Sequence, residues 1–310
     1  MGRAADREDR LTDAPLLPFA PAEMPVVDLA RLRNRKGIDC PLWTEHKALL
    51  IQQYIKLFTF ITKHGAYIDG FAAPQRRNHK AKCSAKLVLD NQPQWIRDFW
   101  LCDIDPEGIA LLEEIKAEHV AKGRQIDVVP GDFNSTIDAI LRSGRIKEKT
   151  ATFALLDQRT FECEWSTVQR IAAHKKDRKI EIFYFFPTGW IDRSIAAIKT
   201  PPAEAGAERW WGRDDWRTLK GMNGVERANM LAARFRDELG YRWAHPYAIH
   251  DARHKGRTMY HMVHATDHDE APVLMLRAYR KVSGRTDWDR QPQQADLAEI
   301  WREVAGDAAG

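Results

Sequence analysis

Four cysteines are all that this chain of 310 residues carries, Cys40, Cys83, Cys102 and Cys163, and no two of them form a CxxC pair. That scarcity excludes a disulfide framework and a zinc ribbon, and leaves reduced thiols, as expected of a cytoplasmic protein. No apolar run approaches the roughly 20 residues that a membrane span needs. The N-terminus mixes Arg with Asp and Glu and lacks the apolar centre of a signal peptide, so neither secretion nor a membrane partner is expected. Charge of one sign is in small excess, with 48 Lys and Arg against 44 Asp and Glu, a net +4 and a pI near 8.8. An anionic partner such as nucleic acid is allowed, but the dense basic character of a dedicated nucleic-acid binder is missing. Also missing is any GxGxxG after the first predicted strand, which sets aside an NAD-dependent dehydrogenase.

What is present is a 44% hydrophobic, 30% charged composition that suits a globular enzyme with a large core. Residues 1–40 are rich in Pro, Ala and mixed charge and read as a mobile N-terminal arm; Arg31, Arg33, Arg35 and Lys36 within it read as a solvated basic face. Residues 41–200 read as a Rossmann-like nucleoside-binding core. Residues 201–283 read as a helical segment followed by a strand, Thr258 to Val263, and a helix, Asp267 to Arg280. These either complete the sheet or form a small winged-helix-like appendage. Residues 284–310 read as a polar C-terminal tail.

Within the core, Leu49, Leu50, Tyr54, Ile55, Leu57, Phe58 and Ile61 recur at helical spacing between Trp43 and Thr62. Five apolar runs follow, centred on Tyr67-Ile68, on Phe99 to Cys102, on Gln125 to Val129, on Ala151 to Leu156 and on Lys179 to Phe186. Continuous runs of this kind fit strands buried on both faces of a parallel sheet. Helical stretches separate them, and Pro106 suits a first helical turn with Asp105 as its cap.

Four of the runs end in a carboxylate: Asp69, Asp103, Asp132 and Asp157. In an open α/β sheet the carboxyl ends of the strands face one crevice, so the four acids are expected to converge on one nucleoside-containing ligand. Asp69 would accept hydrogen bonds from it. Gly70 would let it approach the backbone, and the N–H groups of Phe71 and Ala72 would donate to it. Asp103, at the tip of the second strand, takes the place of a ribose ligand.

The strings YIDGFAAPQ (Tyr67 to Gln75), LLDQRTFECEW (Leu155 to Trp165), KIEIFYFFPTGWIDR (Lys179 to Arg193), RWWGRDDW (Arg209 to Trp216) and HATDHDEAPVLM (His264 to Met275) resemble the class I S-adenosylmethionine-dependent methyltransferases, and more narrowly the three-Cys-motif partner (TcmP) family. The resemblance implies an α/β, Rossmann-like sheet of about seven strands with helices on both faces and a small C-terminal appendage. It implies S-adenosylmethionine as cofactor, with Asp69, Gly70, Phe71 and Ala72 at its methionine part, Asp103 at its ribose, and Asp132 with Phe133 at its adenine. Asp157 would face the methyl group and acceptor, joined by Gln158 and Arg159 in orienting or binding the substrate. It also implies a three-cysteine protein as partner. The acceptor is not supplied.

The first motif departs from the glycine-rich form DGFAGPG at Ala73 and Gln75, and Asp157-Gln158-Arg159-Thr160 replaces the Asp-Pro-Pro-aromatic loop of many amino-methylating enzymes. A non-catalytic nucleotide- or partner-binding subunit that keeps the fold is therefore the alternative. Other features have two readings each. Arg159 either holds an anion or pairs with Glu162 or Glu164; Cys163 is either a buried thiol or a covalent nucleophile. The Arg209 to Trp216 stretch is either a packed, ion-paired helix or a base-stacking surface. His264 and His268 have the i, i+4 spacing of metal ligands, but Asp267 beside them points to helix capping, and no metal is expected.

Overall fold

The computed structural model describes residues 44–74, 80–81, 83–120, 123–250 and 258–282, without the side chains of 44–46, 250 and 280. The arm at 1–40, Gln75 and the tail at 284–310 lie outside the described residues. Five parallel strands form as the apolar runs predict: β1 (Gly65–Asp69), β2 (Ile96–Asp103), β3 (Gln125–Pro130), β4 (Thr152–Leu156) and β5 (Glu181–Phe186). Two more, β6 (Trp243–His250) and β7 (Thr258–Thr266), add an antiparallel hairpin beyond β5. The sheet order is β3-β2-β1-β4-β5-β7-β6. This is an α/β, Rossmann-like sheet, with helices on both faces.

The period of two explains why the central runs of these strands are apolar on both faces. Ile68, Trp100, Ala154 and Tyr184 point into one core, while Tyr67, Phe99, Phe153 and Phe183 point into the other. On the first face lie α4 (Phe133–Leu141), α5 (Trp165–Ala173), α6 (Ile191–Ala197), α7 (Pro201–Trp211) and α8 (Gly224–Asp237). On the second lie α1 (Thr44–Thr62), α2 (Ser84–Leu89), α3 (Pro106–His119) and α9 (Ala271–Val282). Pro106 opens α3, and the Asp105 carboxylate caps it by accepting from the Gly108 N–H at 3.1 Å.

Of the two forms open to the C-terminal region, the hairpin completes the sheet and α9 packs against α1. Among the described residues, no separate winged-helix-like unit forms here. The strand β6 escapes a sequence reading because Pro246 interrupts it; as the last strand of the sheet it has an unpaired edge, where a residue without an N–H is tolerated. The predicted helix from Asp267 begins instead at Ala271, because β7 runs on to Thr266.

Candidate functional site

The strand order reverses between β1 and β4, and the crevice of such a sheet opens at that switch point, above the carboxyl ends of the strands. Asp69 ends β1 and Asp157 follows β4, so the two acids flank the reversal. Asp103 ends β2 and Asp132 follows β3. Adjacent strands lie about 4.8 Å apart, so these four strand ends cover roughly 14 Å.

Asp69 is 1% exposed. One of its oxygens accepts from the Tyr67 hydroxyl at 3.0 Å and the other from the Phe71 N–H at 3.3 Å. Burial, and then the neighbouring Asp157 charge, lift its pKa to about 7, with the two hydrogen bonds opposing. It is an acid poised between its two forms at neutral pH.

The loop after it satisfies its own amides, which corrects the sequence reading. Phe71 N–H donates to Asp69, Ala72 N–H to the Cys102 carbonyl at 2.8 Å, and Gly70 N–H to the Leu155 carbonyl at 3.0 Å. None of the three is left for a ligand. Gly70 is required for a different reason: a Cβ there would lie 2.9 Å from the ring of Phe133. Ala73 does not adopt positive φ, so the alanine in place of glycine costs the backbone nothing.

Asp103 ties the loop to β2. Its Oδ2 accepts from the Ala73 N–H and its Oδ1 from the Asp105 N–H, both at 3.0 Å, and each oxygen keeps a further lone pair. Asp132 is exposed and caps α4 by accepting from the Asn134 N–H at 3.1 Å. The Phe133 ring is 2% exposed and packs against Gly70 and Phe71, so it is no stacking surface for a base. Its backbone N–H, in the first turn of α4, has no intrahelical acceptor.

The groups around Asp157 include partners that the sequence did not suggest. Lys47, in the first turns of α1, sets its ammonium 2.7 Å from Oδ1 and 2.6 Å from Oδ2 of Asp157. Burial alone would lower the Lys47 pKa, but Asp157, Tyr260 and Asp69 together raise it, so this side chain stays charged. Burial raises the Asp157 pKa while Lys47 opposes the rise. The ammonium also lies 5.8 Å from the Phe185 ring centroid and 5.5 Å from that of the buried Tyr260.

Gln158 is 1% exposed and fully used by the chain. Its Oε1 accepts from the N–H groups of Glu162 and Cys163 at 2.9 and 2.8 Å, and its Nε2 donates to the Phe185 carbonyl at 3.2 Å. It shapes the loop and has no group left for a substrate, contrary to the sequence reading. Glu162 accepts from the backbone N–H of Arg159 at 2.6 Å, and Glu164 pairs with Arg209. The exposed guanidinium of Arg159 forms no ion pair with either, among the described residues. Cys163 is buried, and that burial pushes its thiol pKa up, away from nucleophilic use.

Two other candidates dissolve. Trp210, Trp211 and Trp216 are all buried, and Arg234 lies over Trp165 and Trp211 at 4.1 and 4.3 Å while paired with Glu238, so the tryptophans stack on the core and not on a base. His264 is a buried β7 residue bonded to Glu181 at 3.1 Å, and His268 lies in the exposed turn before α9, so the two do not share a helix face. Among the described residues no group of three or more His, Cys, Asp and Glu could hold a metal ion, and no helix is long and apolar enough to cross a membrane.

No family model matches the chain, and no curated protein matches it. Among solved structures, the crystal structure of wild-type Trm5b from Pyrococcus abyssi is 15% identical over 68% of this chain and 47% of that one, with a TM-score of 0.32. This chain thus spans about half of its length. The crystal structure of M. jannaschii TYW2 in complex with AdoMet is 11% identical over 69% of this chain and 75% of that one, with a TM-score of 0.35.

Proposed function

We propose that the chain is an S-adenosylmethionine-dependent methyltransferase of the three-Cys-motif partner type, acting in the cytoplasm alongside a three-cysteine protein. The observation that carries the reading is the row of acids on four adjacent strand ends, with the buried Asp69 and the partly buried Asp157 on either side of the switch point. Such a row suits a long, cationic nucleoside. Bound there, the cofactor supplies an electrophilic methyl group on a sulfonium.

The chain's residues have separate tasks in this reading. Asp69 carries the charge that faces the cofactor's ammonium and sulfonium; a cation beside it favours its ionised form. Asp103 accepts from the two ribose hydroxyls through its remaining lone pairs while holding the loop by the Ala73 N–H. Asp132 and the Phe133 N–H take the adenine edge. Asp157 orients the acceptor and takes its proton, and Arg159, exposed beside it, is the group that meets an anionic portion of the substrate.

The alternative, a non-catalytic subunit with the same fold, draws on the Lys47–Asp157 ion pair, which closes the acceptor side with the protein's own side chain. Calorimetry with S-adenosylmethionine decides between them. Binding is expected, and Asp103→Ala is expected to weaken it about tenfold or more, because the ribose contact and the loop tie are lost together. No heat from the wild-type chain at millimolar cofactor would overturn the enzyme reading; unchanged affinity in Asp103→Ala would overturn the ribose assignment.

A further inference from the structure

The acceptor side of the site has walls of a particular chemistry. The Lys47 ammonium is shared by a partly buried carboxylate, Asp157, and the rings of Phe185 and Tyr260, with Trp190 tilted against Phe185 at 5.7 Å and edge-on to Tyr260 at 6.0 Å. Tyr260 is buried, and its hydroxyl lies within the fields of Lys47 and Asp157. Seated between these walls is an alkylammonium, that of Lys47, straddling both Asp157 oxygens and within cation–π range of both rings.

Charge balance narrows what else could sit there. Removing Lys47 without a replacement leaves a partly buried carboxylate unpaired beside a second, buried acid, Asp69, which is unfavourable. A neutral base entering the site would leave that imbalance in place, and a phosphate would worsen it. An ammonium restores the balance one for one.

We propose that this carboxylate-and-aromatic cage is a recognition site for an alkylammonium group, the side-chain chemistry of lysine or a small primary amine, and that Lys47 is its displaceable internal occupant. The proposal names the acceptor class for the methyltransferase reading above and rests on it for the reaction, although the binding itself requires no cofactor. Once Lys47 has withdrawn, the incoming ammonium gives its proton to the Asp157 carboxylate. Its nitrogen lone pair then forms the bond to the methyl carbon, and the electron pair of the breaking carbon–sulfur bond stays on sulfur.

The test is a titration of the full chain with n-butylammonium and with neutral n-butanol, read by calorimetry and by the Lys47 ammonium resonance in NMR, with no methyl donor present. In the wild type n-butylammonium is expected to bind and to shift the Lys47 resonance as it leaves Asp157. Lys47→Ala is expected to bind n-butylammonium about tenfold or more tightly than wild type, because the internal competitor is gone, and Asp157→Asn in the same background is expected to abolish it. Lys47→Met, which keeps the apolar stem and removes only the charge, is expected to show the same direction should the alanine variant not fold.

Equal binding of n-butanol, or no gain in either Lys47 variant, would overturn the proposal and leave Lys47–Asp157 as an ion pair that only holds the loop. Preferential binding at this site of a short single-stranded RNA would overturn it in favour of a nucleic-acid acceptor. Calorimetry with S-adenosylmethionine on the same samples separates the two readings: cofactor binding without ammonium binding removes the cage alone, and ammonium binding without cofactor binding removes the methyltransferase alone.

Discussion

Replacing Asp69 by Asn tests the electrostatics at the switch point most directly. The carboxyl has an ordinary value of 3.8 and a folded value of about 7, mainly because it is buried and next because Asp157 lies close. Its partners on every side are Tyr67, the Phe71 N–H, Asp103, Asp157 and Lys47. Between the two values the folded chain keeps a proton that the unfolded chain has lost. Stability from the neutral form is therefore fully present below about pH 4 and is lost as pH rises through about 7. A difference of about three units, at about 1.4 kcal/mol each, amounts to about 4 kcal/mol across that window. Asp69→Asn keeps an acceptor for the Phe71 N–H and cannot ionise. Urea unfolding of both proteins between pH 4 and pH 8 should give curves that nearly coincide at the acid end, with the variant increasingly the more stable as pH rises. Subtracting one curve from the other cancels the groups common to both. A pH-independent offset, or a gap that widens toward acid, would refute the reasoning.

Two further substitutions probe the packing around the site. Gly70→Ala places a methyl 2.9 Å from the Phe133 ring and should cost about 1–3 kcal/mol in thermal unfolding, recovered in part by Phe133→Leu; an undiminished melting temperature would show that the ring yields freely. Gln158→Ala strands the N–H groups of Glu162 and Cys163 and the Phe185 carbonyl, and should destabilise the chain by about 2–4 kcal/mol. If instead it bound substrate, the same variant would lose acceptor affinity at unchanged stability, which calorimetry and a thermal melt together distinguish.

Much of the architecture is legible in the chain because it is set over short range. A strand buried on both faces must be apolar at every position, and the runs ending at Asp69, Asp103 and Leu156 announce β1, β2 and β4 for that reason. A helix must solve the problem of its first unsatisfied amides locally, which is why Asp105 reads as a cap and proves to be one, while Asp132, read only as a ligand, caps α4 as well. Strand polarity then places the acids on one edge of the sheet without further information. The proline in β6 hides a strand from the same logic, since only its place at the sheet edge makes it harmless.

What tertiary structure decided is which group meets which. Lys47 and Asp157 are 110 residues apart, and no local pattern in α1 marks one lysine for the site. The amides of Phe71 and Ala72 and both ends of the Gln158 side chain look free in the sequence, and are taken because β1 lies between β2 and β4 and the loop after β4 folds back on β5. Hydrogen bonds and buried charges are settled by the nearest partner in space. The sequence by itself therefore determined the sheet and its acidic edge, while the chain's long-range folding decided which of those polar groups remain open to a ligand.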